Sequence, residues 1–141
     1  MEAARAGREG ARTTAVKRLL ALSPPLAAGA DAAAIVVFTL IGLLSHHGGV
    51  SGRGLARDLL PLLGGWFAVA LGVRLYTRPS LWRLAATWSV GITAGVAIRA
   101  AILGHTHAGK EAAFLAVALT FTGVFALAAR VVAATASGRR R

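Results

Sequence analysis

Four long apolar runs, separated by short polar segments, organise the chain. Pro25 to Ser45, Leu59 to Tyr76, Leu81 to Leu103 and Ala112 to Ala134 are each apolar on every face instead of along one stripe. Helices surrounded by lipid have this pattern. A helix of about 20 residues, at about 1.5 Å per residue, crosses the roughly 30 Å hydrocarbon layer. Strands of a membrane barrel would be about ten residues long with alternating polarity, so these runs are not strands. The pattern predicts an all-α fold: a polytopic membrane protein, residues 23–136, built as a bundle of four transmembrane helices spanning about 25–45, 59–76, 81–103 and 112–134. Pro24-Pro25 opens the first run and Pro61 falls early in the second, positions where a first-turn proline loses no intrahelical hydrogen bond. The connections 46–58, 77–80 and 104–111 are rich in Gly, Ser, Pro or His. They are short enough to join antiparallel neighbours.

Composition supports lipid as the solvent. The chain of 141 residues is 56% hydrophobic and 15% charged, with a mean hydropathy of +0.65, whereas about a quarter of an ordinary soluble domain is charged. A net charge of +11 raises the question of nucleic acid. That partner is not expected, because the cations flank apolar runs instead of gathering on a water-facing surface. The bilayer is the expected partner, through span orientation and anionic headgroups. Residues 1–22 read as a basic cytoplasmic tail and 137–141 as a second one. A cleaved signal peptide is disfavoured, since the run after Pro24-Pro25 is too long and leads to His46-His47 instead of a small-residue cleavage site. Counting Lys and Arg near span ends puts twelve of the 16 on the side holding both tails, with Arg74, Arg78, Arg83 and Arg130 among them. Arg53, Arg57 and Lys110 fall on the other side. The expected topology is therefore multi-pass in the plasma membrane with both termini cytoplasmic.

Few side chains carry chemistry. Asp31 lies six residues into the first run and reads as the sole carboxylate within a span. An unpaired carboxylate there costs on the order of 2 to 3 kcal/mol, so it requires a partner, water or a proton. Arg130, at similar depth in the antiparallel fourth span, is the expected partner and Arg74 the other candidate; the pair serves either as an interhelical clamp or as a proton or cation relay. Arg99, one turn from the far end of the third span, either snorkels outward or lines a pocket for an anion or headgroup. His46, His47, His105 and His107 all fall in the two outer loops, solvated or, if they converge, ligands for a transition metal. Gly91-x-x-x-Gly95 marks a close helix contact, with Gly65, Gly72, Ala112, Ala116 and Thr120 extending the small-residue pattern, either within the bundle or between copies. Without cysteine there is no disulfide or thiolate site. No catalytic constellation and no cofactor motif is present, so an enzyme is not expected.

Asp31 with Phe38, Gly42 and Ser45-His46, then Pro61 and Arg78-Pro79, then Trp88 to Arg99 reading WSVGITAGVAIR, and finally Phe114, Val117-Ala118, Phe125 and Arg130 follow one another in a recognisable order. In these residues the chain resembles the actinobacterial four-span family catalogued as domain of unknown function thirty fifty-four, over about Ala28 to Arg130. That family usually carries Arg after the glycine at the first span's exit, where this chain has Leu43-Leu44. The resemblance implies an integral membrane protein with no assigned activity. The expected role is, first, a small transport or permeation unit within a homo-oligomer; second, a non-catalytic accessory or assembly subunit of a larger membrane complex; third, a lipid-headgroup enzyme using His46 and Arg99. Transport requires a polar path from Asp31 to the Arg99 end, and the accessory role a dry bundle.

Overall fold

A computed structural model describes residues 10, 13–14, 16–45, 51–104 and 108–138. Four helices dominate it: α1 (Pro24–Ser45), α2 (Gly52–Gly72), α3 (Leu81–Leu103) and α4 (Ala108–Gly138). Each is long and apolar enough to cross a membrane, and no strand occurs among the described residues. The protein is thus an all-helical membrane protein.

Four boundaries differ from the sequence reading by more than one residue. Helix α4 begins at Ala108, four residues before Ala112, so Lys110 and Glu111 are helical and not part of a connection. Helix α2 begins at Gly52, seven residues before Leu59, because Ser51 is an N-cap: its backbone is extended and its side chain accepts a 3.1 Å hydrogen bond from the Gly54 amide, satisfying one of the four orphan donors of a helix start. Arg53, Arg57 and Asp58 therefore belong to the helix and not to a loop, and Pro61 lies in its interior instead of its first turn. Asp31 is accordingly not the only carboxylate in a span. At its other end α2 stops at Gly72, before Tyr76. Arg74 adopts the left-handed conformation (φ 58°), while the Leu75 amide donates to the Ala70 carbonyl and the Arg74 amide to that of Leu71. This is the Schellman arrangement, in which two terminal carbonyls are satisfied and the residue after the reversal packs back on the helix; Leu75 and Ala70 are both buried. Helix α4 runs past Ala134 to Gly138, so residues 137 and 138 are helical and not part of a tail.

Helix α3 is capped by Ser80, and Gly104 ends it with a left-handed φ of 65°. Between its α-helical portions, Thr87–Gly91 form a π-helical turn. Such turns insert one extra residue and rotate the side chains that follow. Here the turn lies where α3 meets α2 most closely, and it leaves Thr87 fully buried.

Each helix packs on its neighbours in sequence, and α4 closes the ring against α1. Between α2 and α3 the backbones touch. A methyl at Gly65 would come within 2.3 Å of the Gly91 carbonyl oxygen, one at Gly91 within 2.9 Å of the Trp66 Cα, and one at Gly95 within 2.8 Å of the Leu62 Cα. Lipid-embedded helices associate by such close packing, since lipid tails give little hydrophobic drive. Gly91 and Gly95 therefore serve the bundle's own interior. Gly72 meets nothing within 4 Å and is not part of the seam. Gly65→Ala is expected to destabilise by about 3 kcal/mol or more, because backbone and not flexible side chain must move. Gly72→Ala is expected to be neutral or stabilising by up to about 1 kcal/mol. Thermal unfolding midpoints of the two variants in detergent check the contrast.

Candidate functional site

Polar side chains gather at both ends of the bundle. At the end where α1 starts and α4 finishes, small residues Ala27, Ala30 and Ala34 line the buried face of α1 and let α4 approach. Asp31 sits among them, fully buried, and so does Arg130 of α4 at 1% exposure. The guanidinium grips the carboxylate in parallel: Nε donates to Oδ1 at 2.7 Å and Nη2 to Oδ2 at 2.6 Å. Fork-to-fork contacts of this kind are the strongest charged hydrogen bonds and restrict both planes. Two further donors extend the cluster. The Tyr76 hydroxyl donates to Asp31 Oδ2 at 2.9 Å, and the Trp66 indole Nε1 donates to the Tyr76 oxygen at 3.1 Å. Trp66 is fully buried. The Schellman turn after α2 makes this possible, since it folds Tyr76 back toward the helix that carries Trp66. Tyr76 lies outside the span Gly52–Gly72, and burial, reinforced by the negative charge of Asp31, pushes its phenol well above the usual value.

At the opposite end Arg99 of α3 donates from Nε to Asp58 Oδ1 of α2 at 2.8 Å, and its guanidinium carbon lies 4.3 Å from the centre of the Phe114 ring of α4, a cation–π distance. Arg57 stands 3.6 Å from the same Asp58 oxygen. A cavity of about 90 Å³ adjoins this group, lined from all four helices, with Thr39 and Gly42 of α1 beside Asp58, Arg99 and Phe114.

Of the residues the sequence singled out, the structure joins Asp31 to Arg130 and not to Arg74, which shapes the Schellman turn. Arg99 is turned inward onto Asp58, so it does not snorkel freely. His46, His47, His105 and His107 lie outside the described residues. Among the described residues no three His, Asp or Glu side chains converge in a metal-ligand group. Sequence reasoning missed Trp66, Tyr76 and Asp58. The signal for Tyr76 was present: a bidentate arginine leaves carboxylate lone pairs open, and the chain's single tyrosine ends the neighbouring run. Asp58 was hidden because its stretch reads as loop.

Between the two polar ends the interior is apolar. Ile35, Leu62, Trp66, Ile92, Val96 and Ala118 are all buried, and Thr39 and Thr122 turn their hydroxyls back onto their own helices, to the carbonyls of Ile35 and Ala118. Larger hollows lie outside this interior, one of them at the end where α1 starts and α4 finishes. Another, of about 470 Å³, runs between α3 and α4 over Trp66, beside Trp88, Thr120, Gly123 and Leu127. There Gly123 leaves room for the Trp88 indole, whose Nε1 donates to the Leu119 carbonyl at 2.9 Å.

Removing one member of the buried ion pair leaves the other charged in an apolar core. Arg130→Met is therefore expected to destabilise by about 3–5 kcal/mol, and Asp31→Leu with Arg130→Met to recover most of that loss; denaturation in detergent measures both. Tyr76→Phe is expected to cost about 1–3 kcal/mol through the Trp66 donor left unmet. The raised Tyr76 phenol gives a pH test. A group with a raised folded pKa contributes stability that is complete below its unfolded value, near 10, and is lost as pH rises through the folded value. With one tyrosine in the chain, absorbance near 295 nm at pH 11 is expected to show far less phenolate in the folded protein than after unfolding, where about nine-tenths is ionised.

No curated protein and no solved structure gives a significant match to the chain. A family model does: the one described as Protein of unknown function (DUF3054) matches residues 28–133, from the small-residue start of α1 through Arg130, and takes in both polar clusters and the glycine seam. The chain belongs to that family.

Proposed function

We propose that the protein is a non-catalytic, non-conducting subunit of a larger membrane assembly, lying in the plasma membrane with both termini on the cytoplasmic side. The observation that carries this reading is the dry waist. An ion or proton passing from Asp31 to Arg99 would have to cross a layer of Ile35, Leu62, Trp66, Ile92 and Val96, all at 4% exposure or less, where each unsolvated charge costs several kcal/mol. Nor does the Asp31 carboxylate have the water contact that a relay needs, since Arg130 and Tyr76 engage both oxygens. That favours the clamp over the relay and the accessory role over permeation. A surface for assembly is available along α4, which the rest of the bundle covers least. Its side toward α3 carries the small residues Thr120 and Gly123 in an open apolar groove, the kind of surface on which membrane helices pack. The orientation rests on the cations gathered with the two tails.

Reconstitution tests this directly. Proteoliposomes holding the full chain, loaded with a pH-sensitive dye and given a proton or potassium gradient, are expected to leak at the rate of empty liposomes, and Asp31→Asn is expected to change nothing. A flux above that background which Asp31→Asn abolishes would sink the proposal in favour of a relay. In source membranes solubilised in mild detergent, the chain is expected to migrate in a complex larger than its own recombinant form. Comigration of the two would count against a subunit role.

A further inference from the structure

The two polar clusters are not equivalent. At the Asp31 end the carboxylate is gripped on both oxygens by protein donors. At the Arg99 end the guanidinium makes one hydrogen bond, from Nε, and its two terminal nitrogens have no acceptor among the described residues although the side chain is only 15% exposed. The guanidinium's terminal nitrogens are not sealed in the interior, so their four N–H groups open onto accessible space where water or a ligand can meet them. The cavity of about 90 Å³ lies beside it, and water occupies about 30 Å³ per molecule in the liquid. It is therefore roomy enough for a small anion with a water.

We propose that this cavity, between the ends of all four helices, is a binding site for a small monovalent anion of chloride, nitrate or formate size, held by the terminal nitrogens of Arg99. Three features select that chemistry. The local charge is positive, since Arg57 and Arg99 share the one carboxylate of Asp58, so a ligand of charge −1 neutralises the group. Asp58 and Phe114 fix the guanidinium from two sides, so its remaining donors are oriented before the ligand arrives, which reduces the ordering cost of binding. The remaining lining is Phe38, Gly42, Leu43 and Leu62 with Thr39, whose hydroxyl is turned onto the Ile35 carbonyl, so a bulky or strongly hydrated anion such as sulfate or gluconate is excluded. The site is a closed end and not a passage, since Leu62 and the apolar waist lie beneath it. It stands independently of the proposed subunit role.

The test uses the purified full chain in detergent at constant ionic strength, with sodium gluconate exchanged stepwise for chloride, nitrate or formate. The unfolding midpoint is expected to rise with the logarithm of the small-anion concentration once that exceeds the dissociation constant, by about 4 °C at a tenfold excess, and to stay flat with sulfate. Gly42→Val fills the cavity while leaving the Arg99 to Asp58 bond in place; a side chain at Gly42 meets nothing within 4 Å, so this variant is expected to fold and to lose the anion response. Arg99→Gln loses it too, from a lower starting midpoint. Should either variant fail to fold, crystals of the natural chain soaked in bromide decide: an anomalous peak within hydrogen-bond distance of the Arg99 terminal nitrogens supports the site. A midpoint that does not respond to the three small anions, an equal rise with sulfate, an equal rise in Gly42→Val, or bromide crystals without that peak overturns it.

Discussion

A full charge buried in lipid must be matched by another, and that constraint closes this bundle. Asp31 enters near the start of the first helix and Arg130 near the end of the last, 99 residues apart in sequence, so the pair is satisfied only when α4 returns beside α1. With four antiparallel helices joined by short connections, α1–α2, α2–α3 and α3–α4 contacts follow almost automatically. The α4–α1 contact does not. An ion pair with bidentate geometry specifies both the partner and the depth at which it meets, which apolar side chains facing apolar lipid do poorly. Its net stabilisation is a separate matter, since desolvation offsets much of the Coulombic gain. What it excludes is any arrangement that leaves Asp31 facing lipid.

The opposite seam of the ring is held by different physics. Between α2 and α3 the Asp58 to Arg99 pair lies at one end, and the close contact is backbone against backbone at Gly65, Gly91 and Gly95. Dispersion at that range is dense but not directional, and a one-residue slip would put a side chain into the gap. The π-turn at Thr87–Gly91 falls beside this seam; with one residue more than an α-turn it sets the rotation of Gly91 and Gly95 relative to Leu84 and Trp88. The glycines fix how near the helices come, and the turn fixes which residues come near.

Periodicity and hydropathy revealed the helices, since twenty consecutive apolar residues have few other readings. The Asp31 to Arg130 pairing was legible too, because antiparallel topology equates the start of the first span with the end of the last, and few charges were available to match. The remainder was hidden for physical reasons. The start of α2 is polar and glycine-containing, and a serine cap is decided by one local hydrogen bond that hydropathy does not register; hence Asp58 was placed in a loop and Arg99 lacked its partner. Tyr76 was read along a straight helix, in which it lies on a different face from Trp66. Only the left-handed Arg74, a residue with no strong preference for that conformation, folds it back onto the ion pair. The π-turn has no sequence signature in this chain.

A dry waist with polar clusters at both ends divides the molecule into parts with different freedoms. At the Asp31 end the donors and acceptors engage one another within the chain, and a ligand would have to displace a bidentate salt bridge to enter. At the Arg99 end two nitrogens and a cavity are left over, so a ligand there adds hydrogen bonds without breaking any. Because that cavity is walled by all four helices, whatever occupies it contacts all four at once. Occupancy therefore tightens the ring at the end remote from the ion pair. A bundle pinned by a permanent clamp at one end and by a removable ligand at the other has one end whose packing follows its surroundings.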